Sequence, residues 1–175
     1  MDRLQLATLL SWAGEGGLQG RKRLQKVVFL LQTAGCPLGC RYTLHHFGPY
    51  SRDVAEACDE LVAAGLVEES GGPKSNSMTY SYSLTPATRR LLDAGVDPVV
   101  QGFENLGREL IAEDLWQLEL GSTIQYFYGQ EEVWNQALKR ACEFKRVDPN
   151  DESSQRALTL AQRVHANGRQ AGADH

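Results

Sequence analysis

The feature that most constrains the fold is a helical segment that a Gly-Pro-Tyr-Ser sequence follows after a short interval. A helix is predicted over 21–34, because its apolar residues recur at positions i, i+3, i+4 and i+7 of one helical stripe. The residues of that stripe are Leu24, Val27, Val28 and Leu31. Lys22 and Lys26 fall one turn apart on the opposite side, so the pattern predicts one packed face and one basic face.

The stretch 42–64 predicts a short strand, a turn and a second helix. Residues 42–47 alternate with a period of two, which is typical of a strand. Gly48 and Pro49 predict the turn, and the hydroxyl of Ser51 can cap the first N–H groups of a helix over 51–64. The residues that this helix would turn inward are Val54, Ala57, Cys58 and Leu61.

A β-hairpin and another helix complete the first part of the chain. The hairpin strands are predicted over 66–69 and 78–84, on either side of a segment, 70–77, that is rich in turn-forming residues. A first helix is predicted before the glycine-rich stretch 14–17, and Thr85 followed by Pro86 predicts the start of a helix after the hairpin. The resulting order is helix, helix, strand, helix, strand, strand, helix. We therefore expect a mainly helical α+β fold, in which residues 1–95 form a winged-helix-like domain with an antiparallel β-hairpin as its wing.

Residues 96–175 show helical periodicity alone. We expect an all-helical C-terminal region there, with a last helix over 152–166. A frayed tail is expected over 167–175, where Gly, Ala and polar residues predominate. Acidic residues outnumber basic ones in this half of the chain, whereas the two are nearly balanced in the first half.

The overall charge excludes some classes of partner. The 175 residues include 18 Lys and Arg against 22 Asp and Glu, a formal net charge of −4, which gives no general attraction to nucleic acid or an anionic membrane. The sequence has no long apolar run and no signal-peptide pattern, so we expect a cytoplasmic protein with no membrane partner. The four cysteines lie mostly in apolar helical patterns, which predicts small buried residues and no disulfides.

A metal site and an active site have little support in the sequence. Cys36, Cys40, His45 and His46 have the side chains that zinc binds, but adjacent strand residues point to opposite faces, so at most one histidine could join the cysteines. The motifs of a nucleophile elbow, a phosphate-binding loop and a zinc-protease helix are absent from the sequence. We therefore expect no metal, no cofactor, no catalytic residue and no enzymatic activity.

Several stretches together are similar to a known family. They are residues 21–32, with an Arg-Leu-Gln-Lys sequence, residues 46–51, His-Phe-Gly-Pro-Tyr-Ser, and residues 61–67, with weaker likenesses at 118–124 and 134–138. The pattern resembles the YwgA-like group of bacterial proteins. It resembles more distantly the Panacea, or SocA-like, antitoxin domain, whose signature is a Lys-Leu-Gln-Lys helix followed by a Tyr/Phe-Gly-Pro turn. The resemblance implies a winged-helix-like core with a helical C-terminal part, serving as a protein-interaction or antitoxin-type module.

The resemblance and the placement of charge together predict a non-enzymatic protein-interaction module. Its partner would be another protein, such as a toxin if the chain is antitoxin-like, or a different target if it is an adaptor. A homodimer is an alternative that the sequence leaves open, because the acidic half of a second copy would also suit the basic residues. The residues predicted to bind the partner are Arg21, Lys22, Arg23, Lys26, Phe29, Tyr50 and Arg52.

The alternative is a winged-helix DNA-binding transcriptional regulator. Winged helices often place their third helix in the major groove and a basic wing beside it. Here the third helix is the one predicted over 51–64, and its outward residues are Arg52, Glu56, Asp59 and Glu60. Three carboxylates would repel phosphates, and the wing offers a single cation, Lys74, so this composition disfavours nucleic acid.

Overall fold

The computed structural model of the chain describes residues 1–72 and 79–171, with side chains described as far as residue 168. The helices are α1 (Arg3–Ser11), α2 (Arg21–Thr33), α3 (Arg52–Ala63), α4 (Pro86–Asp93), α5 (Pro98–Gln101), α6 (Glu104–Ala112), α7 (Leu115–Glu131), α8 (Trp134–Lys145) and α9 (Glu152–Ala171). The strands are β1 (Leu18–Gln19), β2 (Thr43–His45), β3 (Gly48–Tyr50), β4 (Val67–Ser70) and β5 (Ser81–Leu84). The expected mainly helical α+β class is confirmed.

Two small antiparallel sheets accompany the helices. In the first, β5 lies between β1 and β4, with Leu84 opposite Val67. In the second, β2 and β3 form a hairpin that places Pro49 opposite Leu44. The predicted hairpin of β4 and β5 is confirmed, although most of its tip, Lys74 included, lies outside the described residues. The sequence does not predict β1, because two residues are too few to show a period of two. The winged-helix assignment stays a prediction.

The helices begin and end at residues that suit those positions. Asp2 accepts the Gln5 N–H, and the Gln5 side chain accepts the Asp2 N–H, which completes a capping box at α1. Thr85 caps α4 ahead of Pro86, as this pair of residues predicts. After α2, Gly35 takes a φ of +95°, the left-handed conformation that often ends a helix.

The central helix α2 is covered on all sides along its middle. Every residue from Leu24 to Leu31 is buried, because α7, α9 and β3 pack around the helix. The prediction of an exposed basic face is therefore wrong for Lys26, which is 2% exposed. It is also wrong to place Phe29 on an exposed surface, since its ring packs edge-on against Tyr42 in the core.

The Gly-Pro sequence lies in a strand and does not form the predicted turn. Residues 46–47 form the turn, and β3 then runs back along β2. Ser51 stands at the N-cap of α3, but its hydroxyl makes no capping hydrogen bond. Its backbone N–H and carbonyl are both bound by the side chain of Gln25, which fixes Ser51 in another way. The predicted inward face of α3 is confirmed, since the four residues that form it are all buried.

The last helix is longer than predicted. It reaches Ala171, beyond the predicted end at residue 166, and Gly168 lies against the backbone at the end of α2. A Cβ at Gly168 would stand 3.0 Å from the carbonyl carbon of Ala34, so the absence of a side chain permits this close approach. The prediction of a frayed tail is therefore wrong for residues 167–171, whereas residues 172–175 lie outside the described residues.

The C-terminal helices pack on the N-terminal part of the same chain. One core cluster contains Leu30 of α2 together with Leu118 of α7 and Val164 of α9. The domain boundary near residue 95 stays a prediction. In the part of the chain that the structure describes, no helix is long and apolar enough to cross a membrane.

Replacing Gly107 of α6 with alanine should destabilise the protein by about 1–3 kcal/mol, because the new methyl group would overlap the buried Trp12 ring. Gly129 of α7 is the matched control, since it is exposed and a Cβ there meets nothing. Gly129→Ala should raise the free energy of unfolding by about 0.5–1 kcal/mol through helix propensity. Urea unfolding measures both changes, and equal effects would contradict the packing of α6 on Trp12.

Candidate functional site

A cavity of about 460 Å³ opens where the first half of α2 faces the β2–β3 hairpin and α3. Arg21, Lys22 and Lys26 supply its cationic side, and Phe47 and Tyr50 contribute aromatic rings. Its volume falls within the range of small-molecule sites, roughly 300–1,000 Å³. We refer to it as the α2–hairpin cavity.

Two buried polar side chains of α2 hold one wall of this cavity in place. The Gln25 amide accepts the Ser51 N–H at 2.8 Å and donates to the Ser51 carbonyl at 2.9 Å. The Lys26 ammonium donates to the Pro49 carbonyl at 2.6 Å. A buried backbone group left without a partner costs about 1–3 kcal/mol, so these bonds stabilise the path of β3 into α3.

Gly48 brings the hairpin close to α7. Its φ is +95°, and a Cβ at this position would stand 2.6 Å from Thr123 Oγ1. The Thr123 hydroxyl is itself buried and donates to the Glu119 carbonyl at 2.6 Å, so it has little freedom to move away. Both the backbone conformation and the close approach therefore require glycine between Phe47 and Pro49.

Four charged side chains form a cluster at the side of the cavity, which we call the charge cluster: Lys22, Lys26, Glu119 and Lys145. Lys22 Nζ lies 3.4 Å from Glu119 Oε1, and Lys145 Nζ lies 3.3 Å from Glu119 Oε2. Lys26 and Glu119 are buried, and the Lys145 side chain is 7% exposed, so water does little to stabilise these charges. The cluster thus contains three ammonium groups and only one carboxylate.

Burial lowers the pKa of Lys26 from 10.5 to about 8. The Glu119 carboxylate opposes that shift, while the ammonium groups of Lys145 and Lys22 add to it. Burial also lowers the pKa of Lys145, again against the effect of Glu119. The charge cluster is therefore short of negative charge.

Aromatic rings stand at the rim of the cavity. Phe47, at the hairpin turn, is 46% exposed, and the Lys22 ammonium lies 3.4 Å from its ring centroid in a cation–π contact. His45 and Tyr50 stack on each other with their ring centroids 4.6 Å apart. The hairpin thus presents one exposed ring and one stacked pair to the cavity.

A second group of rings borders Lys145. Trp116 and Phe144 are each 37% exposed, and each ring centroid lies 5.9 Å from Lys145 Nζ. Because Lys145 and Lys22 share the Glu119 carboxylate, a continuous set of contacts joins these rings to Phe47. We call these three rings, Phe47, Trp116 and Phe144, the exposed aromatic group.

Arg21 connects the cavity to the three-stranded sheet. Its guanidinium contacts both Glu69 carboxylate oxygens, at 2.9 and 3.2 Å, and donates to the Tyr82 hydroxyl at 2.7 Å. It also lies 4.0 Å above the centroid of the Tyr80 ring. The hydrogen bond to Glu69 raises the pKa of Arg21, so this side chain stays charged while it holds β4 and β5 against α2.

The structure brings together four of the seven residues predicted to bind a partner, namely Arg21, Lys22, Lys26 and Tyr50. The other three lie elsewhere. Arg23 donates to carbonyl groups at the end of α6, where helix termini leave such groups unpaired. Phe29 is in the core, and the exposed Arg52 forms an ion pair within α3. Burial of Phe29 removes it from any contact surface, and binding by the remaining residues stays a prediction.

The sequence patterns did not identify Glu119 or Lys145 as site residues. Glu119 is the one charged residue in the stretch 115–130, and an isolated carboxylate in an otherwise uncharged helix indicates a buried charge with a cationic partner. That signal was present in the sequence. Lys145 carries no comparable signal, because its contact with Glu119 depends on how α8 packs against α7.

The cysteines are buried thiols, as predicted. All four are buried and free, and burial raises the pKa of Cys36 and of Cys58 to about 12. His45 and His46 face different aromatic rings. Within residues 1–72 and 79–171, no three His, Cys, Asp or Glu side chains are placed to hold a metal ion.

Sequence comparison identifies a relative of comparable length. The chain is 32% identical over 133 residues to the uncharacterized protein YwgA of Bacillus subtilis (strain 168). The matched stretch spans 75% of this chain and 77% of that protein. No family model matches the chain. The more distant likeness to the Panacea domain stays a prediction.

The free energy of unfolding should rise with pH between about 8 and 10.5 through the titration of Lys26. In this window the amine is charged in the unfolded chain and increasingly neutral in the folded one, so the unfolded chain binds more protons. Raising the pH therefore favours folding, by about 3 kcal/mol at most across the window. Below this pH window, the Lys26 amine is charged in both the folded and the unfolded chain, so the gain in stability is absent.

Urea unfolding of the wild type and of Lys26→Met, at about pH 7.5 and pH 10, isolates this contribution, because the other titrating groups are common to both proteins. The free energy of unfolding of the wild type minus that of the variant should increase with pH. A difference that does not change with pH would contradict the desolvated position of the Lys26 ammonium.

Proposed function

The chain belongs to the YwgA family, and we propose that its function is to bind another protein without catalysing a reaction. In this proposal the binding surface consists of the α2–hairpin cavity and the exposed aromatic group beside it. The observation that carries the proposal is the Phe47 ring, which stands exposed at the cavity rim with the Lys22 ammonium on its face.

Exposed rings that are held in place favour protein binding. Aromatic residues are enriched in the cores of interfaces and among the residues whose truncation costs most affinity. The Trp116 indole N–H donates to Ser153 Oγ at 3.1 Å, and Phe47 is in contact with Lys22. Because such contacts restrict the rings before a partner arrives, less side-chain entropy is lost when one binds.

The charge of the surface favours an acidic partner. The side chains of Arg21 and Lys22 are 56% and 43% exposed. A carboxylate placed near Lys22 would supply the negative charge that the charge cluster lacks. The chain as a whole carries a net charge of −4, so the basic surface is a local feature that would orient an acidic partner on approach.

Within this proposal the chain acts as an antitoxin-like protein or as an adaptor. The support is the resemblance of its Arg-Leu-Gln-Lys and Gly-Pro segments to the Panacea domain. In this chain the same segments form the cavity, since Gln25 and Lys26 bind the backbone of Ser51 and Pro49. The motif residues would therefore act by shaping the surface, and residues at the rim would contact the partner.

DNA binding through α3 has less support. The exposed face of α3 carries Glu56, Asp59 and Glu60, and Arg52 is paired with Glu56 at 2.7 Å. Carboxylates at this position would oppose contact with phosphates, which supply most of the affinity of non-specific binding.

We expect Phe47→Ser to reduce recovery of the partner at least about tenfold when the tagged protein is used to capture partners from extracts of its own cells after nuclease treatment. Leu91→Ser is the matched control, because Leu91 of α4 is 64% exposed and does not line the cavity. This control should recover the partner as the wild type does. Thermal unfolding should show both variants folded, since Phe47 and Leu91 are 46% and 64% exposed and neither belongs to a core cluster.

Two outcomes would overturn the proposal. Equal recovery of the partner by Phe47→Ser and the wild type would show that it binds a different surface. Recovery of nucleic acid alone from untreated extracts, with binding that weakens steeply as salt is added, would favour the DNA-binding alternative, because counterion release sets that slope.

A further inference from the structure

The α2–hairpin cavity has the features of a preformed small-molecule site. The helices α2 and α3, the β2–β3 hairpin and Tyr82 of β5 border it, and the hairpin is fixed to α2 by the buried hydrogen bonds of Gln25 and Lys26. Its volume of about 460 Å³ exceeds what a single protruding side chain would fill. Leu24, Ala55 and Cys58 add apolar wall to the cationic and aromatic groups at the rim. Sites of this kind combine a mostly apolar lining with a few placed polar groups.

We propose that this cavity binds a small molecule that has a planar aromatic body and one anionic group, either a carboxylate or a phosphate. The proposal goes beyond the binding of a protein partner and does not depend on it.

The charge of the lining favours an anionic group on the ligand. Arg21, Lys22 and Lys26 line the cavity, whereas Asp59 carries the one carboxylate among the described lining residues. Lys22 shares the Glu119 carboxylate with Lys145 and keeps 43% of its side chain exposed, so its ammonium can donate further hydrogen bonds. A ligand anion near Lys22 would also reduce the repulsion among the three ammonium groups of the charge cluster.

The rings at the rim favour a planar aromatic body. Phe47 is half exposed, and the stacked rings of His45 and Tyr50 also line the cavity. Aromatic pairs with ring centroids about 4.5–7 Å apart add to the free energy of simple burial, and a saturated body of the same size gains no such contribution. The lining therefore favours an aromatic ligand over an aliphatic one.

Four probes of one size test both parts of the proposal: 2-naphthoate, 2-naphthyl phosphate, the neutral 2-naphthamide and the saturated decahydronaphthalene-2-carboxylate. Titration calorimetry with the full chain should give a dissociation constant below about 1 mM for at least one aromatic anion. Whichever of the carboxylate and the phosphate binds more tightly identifies the anion. The neutral amide should bind at least about tenfold more weakly, because it lacks the charge-assisted hydrogen bond.

Two variants locate the site. Lys22→Met should weaken binding of the aromatic anion about tenfold, whereas Lys139→Met, which changes an exposed lysine of α8 outside the cavity, should leave it unchanged. Phe47→Leu should weaken binding of the aromatic anion about threefold or more and that of the saturated carboxylate less. Because Phe47 is half exposed and lies outside the core clusters, this second variant stays informative if loss of the Lys22–Glu119 pair impairs folding.

Four results would overturn the proposal. Absence of binding by both aromatic anions at about 10 mM would exclude the site. Equal binding of the anion and the neutral amide would exclude recognition of the charge, and equal binding of the naphthoate and its saturated analogue would exclude recognition of the ring. Equal losses in Lys22→Met and Lys139→Met would assign the effect to net charge and not to the cavity.

Discussion

The structure depends on polar side chains of α2 that bind the backbone of the segment between α2 and α3. Gln25 and Gln32 lie seven residues apart on one face of the helix, and each binds both the N–H and the carbonyl of one residue, Ser51 and Cys40 respectively. That segment has a single short hairpin, so most of its backbone groups must find partners outside a sheet. A helix can be buried on all sides when its polar groups are used in this way.

Burial of Lys26 links the fold to the properties of the surface. Its hydrogen bond to Pro49 holds the hairpin, but the buried ammonium is repelled by Lys145 and Lys22 and attracted by the Glu119 carboxylate, which those two lysines already share. Removing charges from water is unfavourable unless they are well paired, and here the pairing is incomplete. The remaining positive charge reaches the surface at Lys22, next to an exposed ring. The interactions that position the hairpin therefore also create the charge at the cavity rim.

Local signals predicted the elements well where the energetics are local. The capping residue Thr85 with Pro86, the inward face of α3 and the β4–β5 hairpin are all found as expected. Predictions failed where a distant segment changed the outcome. The Gly-Pro pair is a turn signal, yet Pro49 pairs with Leu44 in a strand that packs against both α7 and α2. The sequence pattern predicts a solvated Lys26, but in the structure α7 packs against α2 and Lys26 is buried.

The sequence by itself determined the class of fold, the approximate bounds of most helices and the basic segment at the start of α2, because hydrophobic period and capping chemistry act over a few residues. Only the tertiary structure decided which of those basic residues reach the surface. It also decided whether the cavity forms. Glu119 and Lys145 are far from α2 in the chain, and they meet Lys22 only when α7 and α8 pack into place. The charge balance of the site depends on those long-range contacts, and no local pattern encodes them.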